Sequence, residues 1–145
     1  MLSVSRDGQS VAYIDQHSPV LWTSHFDGSG AHQIELPGVR GAFPRFSPDN
    51  KLIAFTALRE GFPPPVYLVS SGGGTPRPLI PEASGRVTDP DWSADGSRVV
   101  VDRELTTSNG QPPDSTLAWV DLQTSKVTDI AVMRETSLFS LDRKR

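Results

Sequence analysis

The side chains in this sequence that could do chemistry are few, and what they could do depends on their spacing. His17, His25 and His32 fall close together, and the last two stand where a turn could bring them face to face. Zinc takes three or four ligands in tetrahedral array, and the chain has no cysteine and no further histidine, so these three read as exposed loop residues. Asp7, Asp49, Asp95 and Asp142 could serve as acids or calcium ligands, yet each follows a serine by two positions and falls in what reads as the same corner of a turn. Asp89, Asp91 and Asp95 have a spacing loosely like that of a calcium loop, but Pro90 and Trp92 interrupt it and no glutamate closes the set. The nucleophile elbow Gly-x-Ser-x-Gly is absent, and Gly28-Ser29-Gly30 is too short to supply it. Gly72-Gly73-Gly74 lacks the Lys-Ser/Thr of a phosphate cradle, and Arg143-Lys144-Arg145 is too short to form a nucleic-acid footprint on a chain of net charge −3. The expectation is a chain with no catalytic residue, cofactor or metal of its own, and no affinity for nucleic acid.

The elements that carry these residues repeat. Ser5-Arg6-Asp7-Gly8, Ser47-Pro48-Asp49-Asn50, Ser93-Ala94-Asp95-Gly96 and Ser140-Leu141-Asp142-Arg143 share one pattern, with their aspartates 42, 46 and 47 residues apart. An apolar residue precedes each serine: Val4, Phe46, Trp92 and Phe139. Strand-like segments follow at Ser10–Ile14, Leu52–Thr56 and Arg98–Val101, then at Val20–Trp22, Val66–Val69 and Leu117–Val120. A turn and a fourth short strand complete each unit, at Gln33-Ile34, Pro78-Leu79 and Val127–Ile130. Gly8 and Gly96 suit the positive φ of a tight turn, Asn50 is the usual substitute, and Arg143 departs from the pattern. The 12 glycines and 13 prolines punctuate the chain too often for helices, and runs such as Val99-Val100-Val101 imply strands buried on both faces.

Four short antiparallel strands per 40 to 45 residues, stacked face to face, describe a β-propeller blade. The string Pro44-Arg45-Phe46-Ser47-Pro48-Asp49-Asn50-Lys51-Leu52-Ile53-Ala54-Phe55 resembles the TolB-type propeller repeat, and Pro90-Asp91-Trp92-Ser93-Ala94-Asp95-Gly96 repeats it with Ala94 in place of the proline. Blade one departs from it, with Leu2 for the first proline and Val4 for the aromatic. The fold expected is all-β: a single partial propeller over residues 1–145, with blade one at about 2–35, blade two at about 43–80, blade three at about 89–130 and the inner strand of a fourth at about 137–145. Leu36 to Ala42 and Pro81 to Thr88 read as crossings between blades, and Thr106 to Pro113 as a longer loop.

Three blades fall short of the four to eight that close a ring, and two raw faces would remain. Missing blades of a longer chain would cover them, or a second copy would, as in a dimer presenting six blades. No window approaches the apolar length that crosses a membrane as a helix, so no membrane insertion is expected. The absence of cysteine fits reducing and oxidising compartments alike. The resemblance implies bacterial periplasm or cell envelope, and a protein-interaction or sensory scaffold. Similar blades also belong to prolyl-oligopeptidase-like serine peptidases and to winged-helix transcriptional regulators, so those two readings stay open. For partner binding the candidates are Arg45 and Asp91, one blade apart on inner strands and able to pair, and Arg59 with Phe62, beside the rigid Pro63-Pro64-Pro65 run. A protein partner is the expectation these candidates carry.

Overall fold

A computed structural model describes residues 1–15, 20–80, 85–104 and 115–133, so His17, the loop 106–113 and the expected fourth-blade start at 137–145, Leu138 included, lie outside the described residues. The described chain is all strand and turn. Twelve strands run in order: β1 Leu2–Val4, β2 Ser10–Ile14, β3 Val20–His25, β4 His32–Glu35, β5 Arg40–Phe46, β6 Leu52–Leu58, β7 Val66–Ser70, β8 Arg77–Pro78, β9 Val87–Trp92, β10 Arg98–Glu104, β11 Ser115–Asp121 and β12 Val127–Met133. They form three sheets of four, each an antiparallel meander in sequence order. These are three propeller blades, with β1, β5 and β9 innermost.

The repeated tetrapeptide makes the same turn three times. In blade one the Ser5 hydroxyl donates to Asp7 Oδ1 at 2.6 Å, that oxygen also accepts the Gln9 N–H at 3.0 Å, and Ser5 Oγ accepts the Ser10 N–H at 2.8 Å. Ser47, Asp49 and Leu52 reproduce the set at 2.6, 3.1 and 2.9 Å, the middle bond coming from Lys51 N–H; Ser93, Asp95 and Arg98 reproduce it at 2.6, 3.0 and 2.9 Å, through Ser97 N–H. Each turn closes with a backbone bond of 2.9 Å and places Gly8, Asn50 or Gly96 at φ 71°, 60° or 72°. The carboxylates are thus consumed by turn formation. Their charged form is stabilised by these donors, which holds the carboxyls of Asp7 and Asp49 below the ordinary range and that of Asp95 at about 2, the Ser93 hydroxyl being the largest cause.

Both inner strands that follow a crossing begin earlier than expected. β5 starts at Arg40 rather than about 43, and β9 at Val87 rather than about 89, so Arg40–Ala42 and Val87-Thr88 belong to strands and not to crossings. The reason is a bulge. Ala42 pairs Thr56 and Arg45 pairs Ala54, leaving Phe43 and Pro44 opposite Phe55 alone; Thr88 pairs Asp102 and Asp91 pairs Val100, leaving Asp89 and Pro90 opposite Val101. Phe43 and Asp89 both take φ 51°, and the extra residue reverses the alternation that marks a strand in sequence.

Two cores lie between blades. Ala12, Ile14, Leu21 and Ile34 of blade one meet Ile53, Phe55, Ala57 and Val69 of blade two; Ala54, Val66 and Leu68 on the other face of blade two meet Val99, Val101, Ala118 and Val120 of blade three. β6 is therefore buried along its length, whereas β11 alternates between buried and half-buried residues because blade three is covered on one side. Double burial holds for the central blade. Val100 is the exception within the Val99-Val100-Val101 run, half-buried on the uncovered face.

Candidate functional site

A meander sends its first and third turns to one end of the stack and its second loop and blade crossings to the other. The turn end is knitted across blades. Asn50 accepts the Arg6 N–H through Oδ1 at 3.1 Å and donates from Nδ2 to Asp7 Oδ2 at 2.8 Å, and Arg6 Nη1 reaches the Ala94 carbonyl of blade three at 3.2 Å. At the same end Thr23 Oγ1 lies 2.9 Å from His32 Nε2, which lies 3.2 Å from the Ser71 carbonyl of blade two. His25 packs beside Gly30, whose carbonyl lies 3.4 Å from His32 Nδ1, so the two histidines line one small hollow at this end. Among the described residues no three His, Cys, Asp or Glu side chains group as a metal site.

The loop end holds an open cleft of about 670 Å³ whose wall includes Val39, Arg40, Leu58, Arg59, Glu60, Phe62 and Pro64. Its geometry follows from the β6–β7 loop. Gly61 at φ 78° turns the chain, Phe62 N–H donates to the Arg59 carbonyl at 3.3 Å, and the Arg59 guanidinium lies 4.3 Å from the Phe62 ring centroid. Such an exposed cation–π contact contributes roughly 0.5–1 kcal/mol. Prolines cannot donate, but their carbonyls accept: Pro65 takes the Ala57 N–H at 2.8 Å and Pro64 takes the Val87 N–H of blade three at 2.8 Å. The proline strap is tied to two blades, and it presents Phe62 with 59% of its surface exposed. An arginine pair, one acid and an aromatic, the last held by the strap, can grip an extended segment through a carboxylate and an apolar side chain.

The four candidate residues fall in two places. Arg59 and Phe62 come together in this cleft. Arg45 and Asp91 sit on inner strands, away from it, and do not pair: Arg45 Nη1 donates to the neighbouring Pro44 carbonyl at 3.0 Å, and Asp91 Oδ1 accepts the Trp92 N–H at 2.9 Å. The link between their strands is instead Trp92 Nε1 donating to the Arg45 carbonyl at 3.0 Å. Arg40 was not among the candidates, because the bulge hid it in a presumed crossing. Spacing alone does not reveal that Phe43 and Asp89 are the bulge residues, although Phe43-Pro44 and Asp89-Pro90 recur at the blade spacing.

No family model matches the chain. Among curated proteins it is 31% identical over 103 residues to the uncharacterized peptidase YuxL of Bacillus subtilis, the match covering 66% of this chain and 16% of that one. It is 32% identical over 89 residues to tricorn protease homolog 1 of Streptomyces coelicolor, covering 61% of this chain and 8% of that protein. The chain therefore spans less than a fifth of the curated relatives it matches. Among solved structures, a protein of Agrobacterium tumefaciens assigned as TolB superimposes with a TM-score of 0.71 at 21% identity, over 90% of this chain and 48% of that one. The fold is that of a TolB-type partial propeller.

Proposed function

We propose that this chain is a non-catalytic propeller segment that binds polypeptide, and that the loop-end cleft around Arg40, Arg59 and Phe62 is its contact surface. The observation that carries the reading is the strap: a proline run tied by backbone bonds to blades two and three holds an exposed aromatic and its stacked arginine in place before any partner arrives. An extended segment with a carboxylate beside an apolar residue is the complementary ligand. The likeness to TolB favours the bacterial cell envelope or periplasm as its compartment.

The test is fluorescence anisotropy of labelled dodecapeptides, acidic-aromatic and basic-aromatic, against residues 1–145. Binding of the acidic set is expected to weaken with salt, and to fall at least about tenfold in Arg59→Glu and in Phe62→Ala, as removal of a contact worth about 1.4 kcal/mol or more requires. Equal binding by wild type and both variants, or none at all, would refute it.

The curated relatives favour a second, narrower reading, in which the segment belongs to the propeller of a prolyl-oligopeptidase-like serine peptidase and admits polypeptide to a catalytic part encoded elsewhere. That reading requires a Gly-x-Ser-x-Gly segment downstream in the parent gene. A parent gene with none would remove it and leave the first reading standing.

A further inference from the structure

Blade three repeats an arginine of the cleft, with one difference beside it. The turn aspartates Asp49 and Asp95 stand 46 residues apart, and the same step carries Arg40 to Arg86 and Leu58 to Glu104. The strand pairings agree. Arg40 pairs Leu58 across β5 and β6, while Val87 opposite Arg103 sets Arg86 opposite Glu104, whose N–H donates to the Arg86 carbonyl at 3.0 Å. The two arginines therefore hold one place in successive blades, where the inner strand begins.

What differs is the residue across the sheet. In blade three Arg86 Nη1 donates to Glu104 Oε1 at 3.1 Å, so the guanidinium is met by a carboxylate from the facing strand. In blade two that position is Leu58, half-buried and without an acceptor, and Arg40 is exposed. Glu60 shares the cleft with Arg40 and Asp15 an adjoining hollow, but neither forms an ion pair with it among the described residues. The other arginine of the cleft, Arg59, is stacked on the Phe62 ring. Blade two thus keeps the arginine of blade three and puts a leucine where its carboxylate belongs.

We infer that Arg40 is the carboxylate anchor of the cleft, and that the acid it takes is a glutamate-type side chain of an extended polypeptide, seated over Leu58 as Glu104 is seated on Arg86. The inference rests on the proposal that the cleft binds polypeptide, and adds which arginine reads the acid. Leu58 is the residue that leaves the place open. An acid at position 58 would fill it from within the chain, as Glu104 does in blade three. Arg59 keeps its stacked position and serves the apolar contact with Phe62.

The experiment measures fluorescence anisotropy of two labelled dodecapeptides against residues 1–145. The peptides are identical except for one central glutamate or glutamine, and both are amidated at the C-terminus so that only the side chain can supply the carboxylate. The wild type should favour the glutamate peptide at least about threefold, within what a partly exposed ion pair contributes. That preference should fall to about one in Arg40→Gln and persist in Arg59→Gln. Leu58→Glu should lose at least about threefold more affinity for the glutamate peptide than Leu58→Gln does, since only the former offers Arg40 a carboxylate in place. Circular dichroism checks that each variant is folded, and the comparison of Arg40→Gln with Arg59→Gln decides the matter if the Leu58 variants are not. A preference kept in Arg40→Gln and lost in Arg59→Gln would overturn the inference and leave polypeptide binding in the cleft standing. So would equal losses in the two Leu58 variants, or equal binding of both peptides by the wild type. Binding of neither peptide would overturn this inference and the proposed function together.

Discussion

Phe55→Ala and Tyr13→Ala change the same position of two adjacent blades and should differ by several kcal/mol, because one side chain lies inside a joint and the other outside it. Phe55 is fully buried, 6.1 Å from the Tyr67 ring centroid at an interplanar angle of 27°, and it packs in the core shared with Ala12, Ile14 and Leu21 of blade one. Truncating a buried phenylalanine costs about 3–5 kcal/mol through lost transfer energy and the cavity left behind. Tyr13 stacks comparably on Trp22 but stands 36% exposed on an uncovered face, where solvent fills the space and no cavity forms. Only part of the transfer term is lost there, about 1 kcal/mol. With a urea dependence of roughly 2 kcal/mol per molar, the first change should lower the unfolding midpoint by about 2 M and the second by about 0.5 M. Tryptophan fluorescence reports both. Equal shifts for the two variants would refute the assignment of inner and outer faces, and with it the blade order.

Two further outcomes follow from the turns. Asn50→Gly relieves a φ of 60° but deletes the bonds to Arg6 and Asp7, each worth about 0.5–1.5 kcal/mol net, so it should destabilise by about 1 kcal/mol, and Asn50→Ala by more because strain remains. A glycine variant more stable than the parent in urea would show that the inter-blade bonds contribute nothing. The Asp95 carboxyl is held at about 2 against an ordinary 3.8, so its stabilising contribution is complete above pH 3.8 and is lost as pH falls through about 2, with Asp7 and Asp49 shifted in the same direction. Asp95→Asn should therefore flatten the fall of stability between pH 4 and 2, and an acid titration of unfolding with the parent's slope would contradict the hydrogen-bonded assignment.

The contrast between what the sequence disclosed and what it concealed has one physical source. Turn chemistry is local: Ser47, Asp49 and Asn50 determine their own backbone within five residues, and three copies at the blade spacing corroborate one another, so the strand order was readable. Contacts between blades are set by the stacking of separate sheets, which spacing along the chain does not encode. That is why Arg45 and Asp91, one blade apart in sequence, bond to their own neighbours, while Arg6 and Ala94, 88 residues apart, bond to each other. The bulge at Phe43-Pro44 shows an intermediate case. Its recurrence at Asp89-Pro90 was visible as a repeated residue-proline pair, but its effect, an inner strand beginning at Arg40, depends on which residues pair across the sheet. Burial is least local of all. β6 and β11 are both apolar, yet one is buried on two faces and the other on one, so the half-burial of Leu117 and Trp119 follows from which blades stack against each sheet and not from the composition of the strand.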